Sequence, residues 1–233
     1  MTSEHRAGTS ATGLVIFDCD GVLVDSEVLS SQLLSKALTG QGYAVTPEDC
    51  RARYTGISMR SAIAMVEADW GRRLPETFED EVRAHDLEVF ARELKPIPGI
   101  KGALEHIELP VCVASSGAPV KIRHSLTVTG LLDFFEPHLF SAHMVEKGKP
   151  APDLFLLAAE RMGYAPADCY VVEDSEAGVS AGRAAGMRVL GFTGGGHAMA
   201  GDEERLRRAG ADIVFRDMTD LPGLVNDQPV SNG

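Results

Sequence analysis

The chain has 233 residues, 44% of them hydrophobic, and a formal net charge of −12. This length and composition suit one large globular core, or a core with a smaller inserted unit. The acidic balance argues against a nucleic-acid-binding surface, because such surfaces use clustered lysine and arginine. An anionic substrate would therefore need a locally positive site.

Four cysteines occur without C-x-x-C spacing, which fits reduced thiols in a cytoplasm. Residues 1–13 lack an apolar signal segment, and no apolar run approaches membrane-spanning length. We therefore expect a soluble, cytoplasmic protein without a membrane partner, with residues 1–13 as a mobile tail. The sequence leaves open whether the protein is a monomer or a small homo-oligomer.

The first predicted strand, Leu14–Phe17, is apolar throughout, which favours a strand buried on both faces. It leads into Asp18 and Asp20 in the motif DCDGVLVDSE. In an extended chain these two carboxylates would point the same way and repel each other. A divalent cation with oxygen ligands would relieve the repulsion, and such ligands suit Mg²⁺ better than zinc. The alternative is an aspartate-rich turn after the strand.

Residues 26–94 show apolar residues at helical spacing and no strand pattern. Four helices are predicted there, beginning near Ser26, Pro47, Ser58 and Glu76. We interpret this block as a helical cap inserted into the main domain.

From Gly99 onward, short apolar runs alternate with helical segments, as is typical of a parallel sheet covered by helices. The predicted strands are 110–114, 139–142, 169–172, 189–192 and 213–215, and the predicted helices are 100–107, 118–129, 152–163, 176–185 and 202–209. The predicted fold class is therefore α/β, a doubly wound parallel sheet with core segments 14–25 and 95–223 and a tail at 224–233. Ligands bind such sheets at the carboxyl ends of their strands.

The motif at Asp18 is followed by VCVASSG, KGKPAPDLF and VVEDSEAG. Together and in this order, the four motifs resemble those of the haloacid dehalogenase-like hydrolases, in the branch of phosphatases and phosphomutases. The resemblance covers residues 14–223, and within the family 6-phosphogluconate-type phosphatases look most similar. It implies a Rossmann-like core, a helical cap that selects the substrate, and Mg²⁺ as cofactor.

The resemblance implies that Asp18 is the nucleophile that forms an aspartyl-phosphate, a known form of covalent catalysis. Asp20 would protonate the leaving oxygen and then activate water. The dehalogenases of the family lack this second aspartate, since a halide needs no proton on leaving. Asp18 and the backbone carbonyl of Asp20 would also bind the metal.

Two further motifs supply groups for the phosphate. Ser115 matches the family's phosphate-binding Ser or Thr, and Ser116 and Gly117 would add backbone contacts. Lys149, directly before a proline as in the family pattern, would offset charge on the nucleophile and the phosphoryl group. Without the resemblance, Ser115 would be interpreted as a helix cap and Lys149 as a solvated surface residue.

The acids Glu173 and Asp174 end a predicted strand, so they could reach a metal shared with Asp18. Asp174 matches the family's metal ligand, whereas Glu173 could bind directly or through water. The alternative is that EDSEAG is a helix N-terminus that favours acidic residues. The seven histidines show no metal-ligand spacing, and His143 and His197 are interpreted as loop residues.

In relatives with such a cap, the substrate is selected by the inner face of the cap and the loop between its helices. The candidate residues here could instead be ordinary solvated side chains; they are Thr55, Gly56, Ser58, Arg60 and Arg83.

Phosphatases and phosphomutases of the family share these motifs. Beta-phosphoglucomutases typically carry a cap histidine where this chain has Ser30, and a lysine before the specificity-loop glycine where it has Thr55. The sequence therefore predicts a Mg²⁺-dependent phosphatase of small phosphorylated metabolites, sugar or sugar-acid phosphates. A phosphomutase and a non-catalytic phosphate-binding module are the alternatives.

Overall fold

The computed structural model describes residues 13–226. The predicted tails therefore lie outside the described residues, apart from Gly13 at one end and residues 224–226 at the other.

Six strands form one parallel sheet in the order β3-β2-β1-β4-β5-β6. They are β1 Leu14–Phe17, β2 Val111–Ser115, β3 Leu139–Ser141, β4 Cys169–Glu173, β5 Arg188–Phe192 and β6 Ile213–Phe215. The chain winds outward from β1 to β3 and then crosses back to β4 on the other side of β1. This reversal creates a crevice at the carboxyl end of β1, where ligands of doubly wound sheets bind.

The described residues form ten α-helices, of which five lie between β1 and β2 in the sequence and five follow β2. They are α1 Glu27–Gly40, α2 Pro47–Tyr54, α3 Met59–Trp70, α4 Phe78–Glu93, α5 Ile100–His106, α6 Pro119–Val128, α7 Asp153–Met162, α8 Glu176–Ala184, α9 Asp202–Ala209 and α10 Leu221–Asn226. The predicted α/β fold class is confirmed.

Successive side chains of β1 point to opposite faces of the sheet and pack into two hydrophobic cores, one on each face. Val15 and Phe17 pack with residues of α5, α6 and α10, whereas Leu14 and Ile16 pack with residues of α7, α8 and α9. β1 is buried along its whole length, which explains its unbroken apolar sequence.

Helices α1 to α4 occupy the region that we interpreted as a cap. They bury a third apolar cluster, which includes Leu38, Tyr54, Val66 and Phe78. The carboxyl-terminal half of α4 differs, because Phe90 packs into the core beside the sheet. Helix α4 thus joins this block to the core.

Two local expectations need correction. Ser26 stands at the N-cap position of α1, but its side chain does not cap the helix and instead donates a hydrogen bond to Asp20. At the other end, α10 continues to Asn226 and buries Val225, so the core extends beyond the predicted limit at residue 223.

No helix between residues 13 and 226 has both the length and the apolar character needed to cross a bilayer.

Candidate active site

The carboxyl ends of β1, β2 and β4 place three of the predicted motifs at one edge of the sheet. Asp18 follows β1 directly, Ser115 is the last residue of β2, and Glu173 is the last residue of β4. The loop before α7 adds Lys149. All four residues are buried, together with Asp174. A buried cluster of charged groups is stable only if its members pair with one another or bind a cation.

Lys149 lies at the centre of this cluster. Its Nζ donates hydrogen bonds to Asp18 Oδ1 and to Glu173 Oε1, both at 2.7 Å. Burial lowers the pKa of Lys149, but the two carboxylates outweigh that effect, and the pKa lies above its ordinary value. The ammonium also lies 4.8 Å from the centre of the Phe155 ring. Lys149 is therefore a fixed positive charge beside Asp18.

Asp18 has the environment of a carboxylate held in place for reaction. Burial raises its pKa well above the ordinary value, and the ammonium of Lys149 opposes that rise. Its backbone amide donates to the carbonyl of Val172 on the neighbouring strand at 3.0 Å, which fixes its position relative to β4.

Both carboxylate oxygens of Glu173 are occupied by hydrogen bonds. Oε1 accepts from Lys149, and Oε2 accepts from the amides of Asp174 and Ser175 and from the Ser175 hydroxyl, at 2.9 to 3.0 Å. A Cβ at Gly178 would lie 1.7 Å from Oε1, so the first turn of α8 closes over the carboxylate. These contacts suit a role for Glu173 in orienting Lys149. They suit direct metal binding by Glu173, which the sequence leaves open, less well.

The carboxylates of Asp18, Glu173 and Asp174 form an acidic cluster in which one oxygen of each lies within 4.8 Å of the others. Asp174 Oδ2 is buried and accepts no hydrogen bond from any group in the described chain. A buried carboxylate oxygen that accepts no hydrogen bond and lies beside a second carboxylate fits the requirement of Mg²⁺ for hard oxygen ligands. The residues present therefore fit the metal that the motifs imply.

His197 also reaches this cluster, which the spacing of the histidines does not indicate. Its Nε2 lies 3.0 Å from Asp174 Oδ2, so the two side chains form an ion pair when the imidazole is protonated. The contact does not meet the geometry of a hydrogen bond. Burial lowers the pKa of His197, and Asp174 more than offsets this, so that the pKa is raised. The glycine-rich loop after β5 carries His197 and is tied to the core by a hydrogen bond from Gly196 N to Asp25.

Gly21 is required by its position between these groups. Its φ is +77°, and a Cβ there would lie 1.9 Å from Asp174 Oδ2 and 3.1 Å from the His197 ring. The glycine of the first motif thus allows the loop after Asp20 to approach Asp174 closely.

The carboxylate of Asp20 has partners outside the acidic cluster. Oδ1 accepts a hydrogen bond of 2.5 Å from Ser26 and lies 3.9 Å from Lys121 Nζ. This arrangement agrees with the expectation that Asp20 offers a metal only its backbone carbonyl. Lys121, on α6, was not anticipated from the sequence.

Ser115 and Gly117 lie next to Asp20. The Ser115 hydroxyl accepts a hydrogen bond from Gly117 N at 3.1 Å, and a Cβ at Gly117 would lie 3.7 Å from Asp20 Oδ2. The Ser116 hydroxyl instead donates to the carbonyl of Gly56 at 2.9 Å. The segment after β2 therefore touches both Asp20 and the helical block.

A cavity lies between this segment and helices α1 to α4. Of the residues predicted to bind substrate, it is lined by Thr55, Gly56, Arg83, Ser116 and Gly117. Residues that were not predicted also line it, among them Glu27, Lys121, Asp86 and His143. The predicted acid Asp20 is part of its wall. The cavity therefore joins the reactive edge of the sheet to the inner face of the proposed cap.

Ser58 and Arg60 are not among the residues that line this cavity, and their role in substrate binding stays a prediction. The Ser58 hydroxyl caps α3 by accepting a hydrogen bond from Ser61 N, and Arg60 is exposed. Gly56, in the same loop, packs so closely on the core that a Cβ would lie 2.2 Å from Ser175 Oγ.

Comparison with known proteins supports this interpretation of the motifs. The profile of the family described as haloacid dehalogenase-like hydrolase matches residues 12–186, which is more than half of the chain. The chain belongs to the haloacid dehalogenase-like hydrolases. The family predicted from the four motifs is thus confirmed.

Named relatives of this hydrolase include 6-phosphogluconate phosphatase of Escherichia coli (strain K12), which is 36% identical over 78% of this chain and 83% of the relative. Beta-phosphoglucomutase of Bacillus subtilis (strain 168) is 30% identical over 89% and 90% of the two chains. A haloacid dehalogenase-like protein of Agrobacterium tumefaciens has a crystal structure that superimposes with a TM-score of 0.77, at 38% identity and over 92% and 97% of the chains. These matches confirm the branch of phosphatases and phosphomutases.

Proposed function

We propose that this hydrolase is a Mg²⁺-dependent phosphatase that hydrolyses sugar or sugar-acid phosphates through an aspartyl-phosphate. One observation carries the proposal: Asp18, which pairs with the buried Lys149 and has Asp174 beside it, is two residues from Asp20 in the wall of the cavity. A non-catalytic binding module would have no need of a nucleophile held in this way. Relatives named as phosphatases of 6-phosphogluconate and of hexitols support the substrate class.

In the first step, a carboxylate oxygen of Asp18 attacks the phosphorus of the substrate. The bond between phosphorus and the ester oxygen breaks, and the leaving oxygen takes a proton from Asp20. Lys149 offsets negative charge on Asp18 and on the phosphoryl group as it is transferred. The products of this step are the dephosphorylated alcohol and a phosphorylated Asp18.

In the second step, a water molecule attacks the phosphorus of the aspartyl-phosphate while Asp20, now a carboxylate, accepts a proton from it. The bond between phosphorus and the Asp18 oxygen breaks, which releases inorganic phosphate and restores the Asp18 carboxylate. The hydrogen bond from Ser26 and the nearby Lys121 keep the Asp20 carboxylate at the cavity.

Asp18, Asp174 and the backbone carbonyl of Asp20 would hold Mg²⁺, with Glu173 orienting Lys149 behind them. When bound, the ion offsets charge on the phosphoryl oxygens. The Ser115 hydroxyl and the Ser116 amide would bind the remaining phosphate oxygens just before the start of α6, while the Gly117 amide, which donates to the Ser115 hydroxyl, would orient that hydroxyl.

The test is product analysis with Mg²⁺ on sugar phosphates and sugar-acid phosphates, including beta-glucose 1-phosphate. Free phosphate and isomerised sugar phosphate are both measured, with Asp18→Asn as the matched control. We expect free phosphate from one or a few members and none from the variant. Glucose 6-phosphate without free phosphate would replace the proposal by a phosphomutase. Absence of both products, even with an aryl phosphate, would favour the binding module.

A further inference from the structure

Asp86, on α4, presents a buried carboxylate to the cavity. The residue is 4% exposed and is part of the cavity wall. Its Oδ2 lies 3.4 Å from Lys121 Nζ, whereas its Oδ1 has no hydrogen-bond partner among residues 13–226. A buried carboxylate oxygen without a donor is costly, so a donor from outside the chain is expected at Oδ1.

The position of Asp86 relative to the reacting groups indicates where that donor would lie. Lys121 Nζ is 3.4 Å from Asp86 Oδ2 and 3.9 Å from Asp20 Oδ1, so a single ammonium lies between the two carboxylates. In a substrate whose ester oxygen lies next to Asp20, the carbon atoms that follow this oxygen would therefore lie beside Asp86. Groups on those carbons are the ones that Asp86 can contact.

The charges around the cavity favour a neutral donor. Carboxylates line it at Asp20, Glu27, Glu79 and Asp86. The two fixed cations of its wall already have carboxylate partners, since Lys121 contacts Asp86 and Arg83 contacts Asp80. A hydroxyl group can donate a hydrogen bond to the unpaired carboxylate oxygen without adding charge. Such a bond is strong because its acceptor is charged.

We propose that Asp86 is a specificity-determining residue that accepts hydrogen bonds from hydroxyl groups on the carbon chain of the substrate. It makes the enzyme select polyhydroxylated phosphates over alkyl phosphates of the same length. This inference rests on the proposed phosphatase function.

The test compares glucitol 6-phosphate with n-hexyl phosphate, which has the same chain length and no hydroxyl groups. The variants are Asp86→Asn, which retains a weaker neutral acceptor, and Asp86→Leu, which has a similar shape and no acceptor. Glu88→Gln is the matched control, because Glu88 is an exposed carboxylate on the same helix. Circular dichroism and thermal unfolding report whether each variant is folded.

We expect kcat/KM for glucitol 6-phosphate to fall about 10- to 100-fold in Asp86→Leu, and less in Asp86→Asn, as for the loss of a hydrogen bond to a charged group. For n-hexyl phosphate the same variants should change kcat/KM by less than about threefold. The control should leave both values unchanged. If the leucine variant does not fold, the asparagine variant alone decides.

An equal fall for both phosphates would overturn the inference, because Asp86 would then only support the structure around Lys121. Equal hydrolysis of both phosphates by the unaltered enzyme would also overturn it while leaving the phosphatase function intact. If the unaltered enzyme releases phosphate from no monoester, the proposed function fails and this inference fails with it.

Discussion

The ammonium of Lys149 lies 2.7 Å from a carboxylate oxygen of Glu173, and neither side chain has any exposed surface. The second oxygen of Glu173 is held by the backbone of the loop that carries Asp174. Lys149 is therefore fixed from behind by β4 while it faces Asp18. Contacts within the folded core thus hold this positive charge beside the proposed nucleophile before substrate binds.

Replacing this lysine should affect both stability and turnover. Lys149→Met leaves two buried carboxylates without their cation, so we expect the free energy of unfolding to fall by about 3–5 kcal/mol. Phosphate release should fall as well, because the charge beside Asp18 is lost. Urea unfolding with a chelator present, together with a phosphate-release assay, measures both effects. Lys147→Met is the control, since Lys147 is exposed; equal stability of the two variants would contradict this account.

The close approach of Gly21 to Asp174 can be tested with a pair of glycines. Gly21→Ala and Gly186→Ala introduce a side chain at nearly the same φ, +77° and +76°, but in the described chain only the first has atoms within 4 Å of the new Cβ. Both should lose about 1–2 kcal/mol of stability from left-handed backbone strain. Only Gly21→Ala should also lose the rise in melting temperature on adding Mg²⁺, because it displaces Asp174. An unchanged rise in that variant would contradict the assignment of Asp174 as a ligand.

Glu27 should make stability depend on pH. Burial, reinforced by the charges of Asp174 and Asp20, raises its pKa from 4.5 to about 7 in the folded protein. Between these values the folded state binds the proton and the unfolded state does not, so stability falls as pH rises.

We therefore expect the unaltered protein to lose up to about 3 kcal/mol relative to Glu27→Gln between about pH 5 and pH 8. Chemical denaturation of both proteins in a chelator across this range measures the difference, in which the contributions of groups distant from Glu27 cancel. The glutamine can still accept the hydrogen bond that Thr55 gives to Glu27. A difference that does not change with pH would show that Glu27 ionises normally.

The acids and the serine at the reactive edge of the sheet were predictable because each is marked locally in the sequence. Asp18, Ser115 and Asp174 each follow a short apolar run, and the carboxyl ends of parallel strands meet at one edge. Lys149 was found only through the family motif, since a lone lysine before a proline carries no such mark. Strand and helix positions were predictable too, because apolar periodicity is also a local feature of the sequence.

Groups brought in by packing between distant segments could not be predicted. Lys121, Asp86 and His197 are charged or polar residues on α6, on α4 and in the loop after β5, and nothing in their spacing shows that they face the site. Ser58 and Arg60 differ from the other predicted residues of the cap. They stand in the predicted loop, but the Ser58 hydroxyl caps α3, Arg60 is exposed, and neither lines the cavity.

The most direct test of the account is to look for a phosphoryl group on Asp18 during turnover. Enzyme reacting with Mg²⁺ and a hydrolysed sugar phosphate is quenched in acid, and its peptides are examined by mass spectrometry. We predict phosphorylation of Asp18 in the unaltered protein and in Asp133→Asn, an exposed aspartate used as control. Asp18→Asn should carry none and should release phosphate about 10⁴-fold more slowly or not at all. Phosphate release by Asp18→Asn at the normal rate, or a phosphoryl group on another residue, would contradict the account.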